Sequence, residues 1–340
     1  MLRGFHGFAL ITLGIAAACA SIPVSGDPAT SLTAIAQTVP VGTVNEDAAD
    51  DPAIWRNIAA PEESLIVGTD KKAGLYVYNL KGEQLSFLEG AGLNNVDLVE
   101  FPDGRVLVAA SDRSDLDTAH IHLSLLDTGT GTLTFLGRRM IGPGEGYGIC
   151  MGPPEANGEV DIYSAPKNGA IYSTRVSLET PAIINGRLAT VPSQPEGCVV
   201  DPRSKTLYIG EEAAGIWAID TDLGRKELVA ATGTGMLVAD VEGLAIAPQG
   251  EDGGYLVASS QGDNAFAVYR LPGHEPVGRF RIASGAFGSV EETDGIALDP
   301  RGFGETFPQG LFVAQDGINP PEAQNFKLVR WDQILEALGE

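Results

Sequence analysis

Hydrophobic residues along the chain fall into short runs that polar and glycine-containing turns separate. One pattern, a polar start followed by an apolar run, occurs six times. The six copies are "DDPAIW" from Asp50, "NNVDLVEF" from Asn94, "GYGICM" from Gly146, "EGCVVD" from Glu196, "EGLAIA" from Glu242 and "DGIALD" from Asp294. Each copy is followed by two more apolar runs. In the unit that starts at Glu196 these are "LYIGEE" and "GIWAID". Such short runs, bounded by turn residues, are typical of β-strands.

The copies recur about every 50 residues, which is the spacing of a repeat architecture. Six units of three or four strands predict an all-β, six-bladed β-propeller over residues 33–340. A pair of β-sandwiches does not explain the even spacing. Helical periodicity is almost absent before the segment from Trp331 to Leu338. The last unit has only three obvious strands, so we expect the run from Thr33 to Val44 to supply the missing strand and close the ring.

Successive strands of a blade run in opposite directions, so the second strand returns to the face where the first began. The start of each first strand and the turn between the second and third strands therefore lie on one face, which we call the top face. The strand starts contribute Asp50, Asp51, Asp97, Glu145, Tyr147, Glu196, Asp240, Glu242 and Asp294. The turns contribute Asp70, Lys71, Lys72, Asp112, Arg113, Lys167, Glu211, Glu212, Asp263, Asp316 and Asn325. The sequence therefore predicts a strongly acidic mouth around the central channel.

The charge of the chain limits its partners. It has 45 acidic and 22 basic residues and a formal net charge of −23, which excludes a simple electrostatic case for nucleic acid or an anionic membrane surface. A ring of carboxylates needs countercharge, and calcium accepts the oxygen ligands that such loops supply. Lys71, Lys72, Arg113 and Lys167 form a positive arc beside it, and metal ions with Lys or Arg clamp phosphoryl oxygens. Salt bridges to nearby acids are the alternative role for these bases.

Motifs for covalent catalysis are missing from the sequence. There is no GxSxG motif and no "RHG" motif. The segment "CVVDPR" from Cys198 resembles a cysteine-phosphatase loop, but its Cys-to-Arg spacing is one residue short. Metal-assisted hydrolysis remains as the mechanism.

The N-terminus has the features of an export signal over residues 1–20, followed by a flexible tether over 21–32. Cys19 follows three alanines, as in a lipoprotein signal; cleavage near Ala20 is the alternative. We expect an exported protein, either a periplasmic or outer-membrane lipoprotein or a secreted one. Export makes a disulfide possible, but Cys150 and Cys198 both lie in apolar runs, so we expect two buried thiols rather than a bridge.

The order and spacing of many motifs from about Val44 to Leu338 resemble those of the β-propeller phytases, an alkaline, calcium-dependent family. These motifs are "DDPAIW", "TDKKAGLYVYNLKG", "LNNVD", "YIGEEAAGIW", "DVEGLAI", "ASSQG", "TDGIAL", "LFVAQDG" and "QNFKLVRW". The resemblance implies a phosphoric monoester hydrolase of the 3-phytase type. Its substrate would be phytate (myo-inositol hexakisphosphate), cleaved by direct attack of a calcium-activated water.

The resemblance and the top-face set together assign roles to individual residues. Substrate phosphates would be bound by Lys71, Lys72, Arg113 and Lys167. The catalytic residues would be Glu196, Glu211 and Tyr147. Several calcium ions would be held by Asp50, Asp51, Asp97, Glu212, Asp240, Glu242, Asp294 and Asn325. Two positions depart from the family pattern, since Asn168 and Gly288 stand where the family has acidic residues; Glu291 or Glu292 is the expected substitute for the second.

Two other functions stay open at this point. One is a calcium-dependent lactonase, which needs fewer metal ligands and no arc of bases. The other is a surface propeller that binds a partner without catalysis. For each of the three functions we expect a monomer.

Overall fold

The computed structural model confirms the six-bladed β-propeller. It describes Met1 and residues 25–179 and 184–340. The predicted signal segment, Cys19 and the first part of the predicted tether lie outside the described residues. Across the described ranges, no helix is long and apolar enough to cross a membrane.

The described residues form 25 strands, which are arranged in six sheets, one for each blade. Two N-terminal strands come first: β1 (Thr30–Thr33) and β2 (Ala36–Gln37). Blades 1 and 2 contain β3 (Ala49–Trp55), β4 (Leu65–Asp70), β5 (Gly74–Asn79), β6 (Gln84–Glu89), β7 (Leu93–Glu100), β8 (Val106–Asp112), β9 (Thr118–Asp127) and β10 (Thr132–Pro143). Blades 3 and 4 contain β11 (Gly148–Met151), β12 (Glu159–Ala165), β13 (Ala170–Ser177), β14 (Ile184–Thr190), β15 (Pro195–Asp201), β16 (Thr206–Glu211), β17 (Gly215–Asp220) and β18 (Lys226–Ala231). Blades 5 and 6 contain β19 (Val241–Gln249), β20 (Gly253–Ser260), β21 (Ala265–Leu271), β22 (Glu275–Ala283), β23 (Ile296–Asp299), β24 (Leu311–Asp316) and β25 (Asn325–Arg330).

The first strand of each blade is the innermost one. Strands β3, β7, β11, β15, β19 and β23 contact one another in turn, and β23 contacts β3, so the six strands surround a central channel. The hydrophobic core lies between neighbouring blades: Val67 and Val77 of blade 1, for example, pack with Val96 and Val108 of blade 2. Both faces of a blade are therefore covered, which explains why a strand such as β4 is buried along its whole length.

The N-terminal strands join the last two blades. Strand β2 pairs antiparallel with β25 and occupies the outer position of blade 6, while β1 pairs parallel with β22 on the outside of blade 5. Residues 30–32, which we expected in a flexible tether, are thus part of a sheet, because the outer edge of blade 5 offers free backbone groups to pair with. The helix α1 (Trp331–Leu338) follows β25 where helical periodicity predicted it, and Trp331 packs against Tyr255.

The two cysteines of the propeller form a disulfide, so the prediction of two free buried thiols is wrong. Cys150 lies on β11 and Cys198 on β15, and their Cα atoms are 5.6 Å apart. Both strands are innermost strands of adjacent blades, which brings together two residues 48 positions apart in sequence. An apolar run indicates burial, but it does not indicate which residue of the next blade lies opposite.

The remaining short helices lie outside the blades' regular strands. A 3-10 turn spans Pro61–Glu63 between β3 and β4, and a second spans Gln261–Asp263 between β20 and β21. The second turn lies on the top face, and Asp263 there binds Arg279 and the backbone of Gly26.

Candidate metal and phosphate site

A β-bulge opens the innermost strand in four of the six blades. The register shifts by one residue between Ala49 and Pro52 on β3, and the same shift recurs at the start of β7, β15 and β19. A bulge leaves one residue out of the ladder and redirects side chains. The residues in the bulges are Asp50 and Asp51, Asn94 and Asn95, Glu196 and Gly197, and Glu242 and Gly243. The repeated polar starts in the sequence are therefore the bulges that aim side chains into the channel mouth.

Glycine after the bulge acid lets neighbouring blades approach closely. A Cβ on Gly197 would lie 2.0 Å from the carbonyl oxygen of Glu242, and a Cβ on Gly243 would lie 2.8 Å from the carbonyl oxygen of Asp294. Instead, the backbone N–H of Gly243 donates to that oxygen at 2.6 Å. This close backbone contact brings the acids of blades 4, 5 and 6 to one side of the mouth.

Lys71 lies at the centre of one group of acids. Its Nζ is 3.0 Å from Asp50 Oδ1, 3.0 Å from Asp294 Oδ2 and 2.9 Å from Asp47 Oδ2. Burial acts to lower the pKa of Lys71, but the three carboxylates raise it well above its ordinary value. Burial, followed by the charge of Asp50, raises the pKa of Asp294. The ammonium group therefore holds carboxylates of blades 1 and 6 together.

A second group of acids has the spacing of a metal site. Ligand oxygens of Glu196, Glu212 and Glu242 lie within 4.8 Å of one another. Burial raises the pKa of Glu196 to about 7, and burial with the neighbouring charge of Glu196 raises the pKa of Glu242 well above its ordinary value. Burial also raises the pKa of Glu212. Clustered carboxylates with raised pKa values are typical of functional sites.

Tyr147 lies between these acids and two cations of the positive arc, Arg113 and Lys167. Lys167 Nζ lies 4.3 Å from the centre of the Tyr147 ring, and the Arg113 guanidinium lies 5.6 Å from it. Glu145 Oε1 contacts both cations, at 2.5 Å from Arg113 Nη2 and 3.3 Å from Lys167 Nζ. Burial, with the charges of Glu196 and other acids, raises the pKa of the Tyr147 hydroxyl far above its ordinary value, so that the hydroxyl stays protonated.

Two predicted metal ligands, Asp51 and Asp97, line the central channel. Asp51 and Asp97 line a cavity of about 180 Å³ that the innermost strands enclose. Asp51 Oδ2 accepts a hydrogen bond from the backbone of Val96 at 2.9 Å, and Asp97 Oδ2 accepts one from the backbone of Met151 at 2.7 Å. Burial raises the pKa of both acids, that of Asp97 to about 6. These acids face the channel rather than the clusters around Lys71 and Glu242.

Other predicted site residues lie at the rim or outside the site. Lys72 is half exposed and pairs at 3.8 Å with Glu46, and Asp240 is half-buried and close enough to Glu212 for its charge to raise that residue's pKa. Asn325 is not brought to the site, because its side chain bonds Lys327 Nζ and the backbone of Thr38.

Glu211 is also not brought into the carboxylate cluster. One of its oxygens accepts from the backbone and hydroxyl of Ser193, and the other accepts from the Trp217 indole at 2.7 Å. The side chain turns into blade 4, so that Glu212, the next residue, lies in the cluster instead. Alternation of side chains along the end of β16 decides which of two adjacent glutamates faces the site.

Three residues of the site received no individual role from the sequence. Glu145 and Asp47 contact the cations, and Asn94 bonds Asp50 and Glu196. Asn94 was present in the repeat signal at the position where four other blades have an acid. Of the two departures from the family pattern, Asn168 accepts a hydrogen bond from the backbone of Ala170 in its own turn and donates to the backbone carbonyl of Pro143 at the end of β10 in blade 2.

The six-bladed propeller, the carboxylate cluster and the adjoining cations define a hydrolase of phosphorylated substrates. The family model described as Phytase matches residues 7–340. The 3-phytase of Bacillus subtilis (strain 168) is 38% identical over 338 residues, which cover 91% of this chain and 86% of that protein. The chain belongs to the phytase family, and it is a phosphoric monoester hydrolase that acts on phytate.

A solved structure shows the same fold at low sequence identity. Regucalcin from Agrobacterium tumefaciens strain C58, a calcium-binding protein, matches with a TM-score of 0.56 and 16% identity, covering 88% of this chain and 95% of that one. This likeness supports the propeller architecture alone.

Proposed function

We propose that phytate hydrolysis by this protein depends on calcium held by the carboxylates of the top face. The observation that carries the proposal is the cluster of Glu196, Glu212 and Glu242, whose ligand oxygens lie within 4.8 Å of one another. Asp50 and Asp294, next to Lys71, extend the same acidic surface. Oxygen donors of this kind suit calcium.

The carboxylate oxygens of this cluster are suited to bind a cation. Glu242 Oε2 is buried without a hydrogen-bond partner among the described residues. An unpaired carboxylate oxygen in the interior is costly unless a cation or a proton compensates it. The raised pKa values of Glu196 and Glu242 express the same lack of countercharge. Calcium, when bound there, supplies that charge, offsets the charge of the substrate phosphates and activates a water for direct attack on phosphorus.

The side chains of the positive arc bind the substrate. Arg113 and Lys167 face the same oxygen of Glu145, and a phosphate group offers them several oxygens in that position. Lys71 lies between the two regions, with its ammonium group on Asp50 and Asp294. Its charge draws a phosphate towards the acids, which otherwise repel it. Tyr147, protonated and packed under Lys167, keeps that ammonium group at the edge of the cluster.

We propose in addition that the protein is exported, as a secreted protein or a lipoprotein. The N-terminal sequence supports this, and so does the disulfide between Cys150 and Cys198, since disulfides persist in oxidising compartments.

The test is phosphate release from phytate by chelator-treated protein, with and without added calcium. We expect no turnover in chelator and full recovery with calcium. Glu242→Gln should need more calcium for half-maximal activity, whereas Glu251→Gln, at an exposed turn remote from the top face, should not. Turnover in chelator equal to that in calcium would reject calcium dependence and leave phytate hydrolysis intact.

A further inference from the structure

Asn94 occupies a special position in the ring of bulges. It stands in the bulge of blade 2, at the place that Asp50, Glu196 and Glu242 occupy in blades 1, 4 and 5. Its side chain is fully buried. A neutral amide therefore replaces a carboxylate at one of four equivalent positions, and the contacts of the amide indicate why.

The Asn94 side chain connects the acids with the positive arc. Its Nδ2 donates to Asp50 Oδ2 at 3.1 Å and to Glu196 Oε1 at 3.0 Å, and it also lies 2.9 Å from the side-chain amide of Asn95. Its Oδ1 accepts from Arg113 Nη1 at 2.8 Å. A primary amide offers two N–H donors and one carbonyl acceptor, so one side chain can bond two carboxylates and a guanidinium at once.

A carboxylate at position 94 could not make the same contacts. It has no proton to donate to Asp50 or Glu196 when ionised, and its charge would add to a cluster whose members already repel one another. An apolar side chain would leave both carboxylates and the guanidinium without this partner. Only an amide therefore satisfies all three neighbours.

We infer that Asn94 is a positioning residue for phytate hydrolysis, because it fixes the separation of Asp50 and Glu196 and orients the Arg113 guanidinium towards the substrate. The inference rests on the proposed role of Arg113 as a phosphate ligand. The Arg113 side chain is 27% exposed, and its guanidinium also contacts Glu145 and the Tyr147 ring. Without the Asn94 carbonyl, the guanidinium samples more orientations and binds phosphate more weakly.

A double-mutant cycle tests this coupling. The proteins are the wild type, Asn94→Leu, Arg113→Ala and the double variant, with KM and kcat for phytate measured in saturating calcium. Each single change should raise KM about 10-fold, and the double variant should stay near that value rather than reach about 100-fold. Asn94→Leu should also lower kcat in both backgrounds, because Asp50 and Glu196 lose their shared donor.

Controls separate positioning from a general loss of stability. Ser64→Ala removes a fully buried polar group at the opposite end of blade 1, where Ser64 bonds Asn57 and Pro61, and it should leave KM unchanged. Thermal melting establishes that each variant is folded, and Asn94→Ala replaces Asn94→Leu in the cycle if the leucine variant does not fold.

The outcomes distinguish the inference from the proposed function. If Arg113→Ala raises KM and the effect of Asn94→Leu is absent or additive, the positioning role is overturned and the phosphate role of Arg113 stands. If Arg113→Ala leaves KM unchanged, the proposed phosphate role is wrong and the inference fails with it. Non-additive KM values in folded variants support both.

Discussion

Lys71 Nζ lies 3.0 Å from Asp50 Oδ1, and this contact joins the turn between β4 and β5 to the bulge at the start of β3. The Asp50 side chain is buried, and the same ammonium group reaches Asp294 of blade 6. A cation that we expected to bind substrate thus also holds the ends of the ring together. Substitution of Lys71 should therefore affect both catalysis and stability.

Lys71→Met should lower kcat/KM for phytate about 100-fold or more, because a charge that stabilises the transferred phosphoryl group is lost. In chelator, the free energy of unfolding should also fall by roughly 3–5 kcal/mol, since the side chains of Asp50 and Asp294 lose the ammonium group that they contact. Steady-state kinetics and chemical denaturation measure the two effects. Lys205→Met, at an exposed pair with Asp222, is the matched control. Unchanged kcat/KM would contradict the role of Lys71 at the site.

Glu211 and Glu212 should behave differently although they are adjacent. Glu212→Gln should lower kcat about 100-fold and raise the calcium concentration for half-maximal activity, because Glu212 belongs to the carboxylate cluster. Glu211→Gln should instead cost about 1–3 kcal/mol of stability, since its amide nitrogen would face the donors of Ser193 or Trp217. Kinetics, thermal melting and tryptophan fluorescence separate the two. A folded Glu211→Gln protein as inactive as Glu212→Gln would restore the role that the sequence predicted for Glu211.

The stability of the metal-free protein should decrease as the pH rises from about 4.5 to about 7. Burial raises the pKa of Glu196 from 4.5 to about 7 and that of Asp97 from 3.8 to about 6. In that interval the folded state binds more protons than the unfolded state, so the free energy of unfolding falls with rising pH.

Calcium should oppose this loss of stability. At about 100-fold excess over its Kd, each bound ion adds roughly 2.7 kcal/mol to the free energy of unfolding. Thermal melting in chelator and in calcium, at pH values across the interval, measures both effects. A melting temperature that rises with pH in chelator, or that calcium does not change, would argue against uncompensated acids in the site.

The disulfide between Cys150 and Cys198 should contribute roughly 2–4 kcal/mol, because it closes a loop of 48 residues in the unfolded chain. Reductant should lower the melting temperature of the wild type, and it should leave that of a Cys150→Ser/Cys198→Ser variant unchanged. Peptide mapping without reduction identifies the link directly. Recovery of both cysteines as free thiols from unreduced, denatured protein would rule the bridge out.

The blade count, the helix after β25 and most of the acidic mouth could be predicted from the sequence, because period, alternation and turn chemistry are local. The first strands were recognisable from their polar starts, and these starts are the bulges that carry Asp50, Glu196 and Glu242. The repeat shows which residues begin each first strand, and it therefore predicts which side chains share the top face.

The remaining features depend on relations between blades, which a local pattern does not contain. Cys150 meets Cys198 because two innermost strands lie side by side. Asn325 bonds Lys327, whose buried ammonium group also pairs with Asp316, and so it turns away from the channel mouth. Whether Glu211 or Glu212 faces the carboxylate cluster depends on which way the side chains point where β16 ends.

The position of bound calcium tests the central claim most directly. Crystals grown in calcium, with anomalous diffraction recorded at a long wavelength, locate each ion. We expect an anomalous peak bounded by the carboxylates of Glu196, Glu212 and Glu242, and we expect it to disappear in Glu242→Gln crystals. A map with calcium peaks elsewhere and none at these three carboxylates would contradict the account.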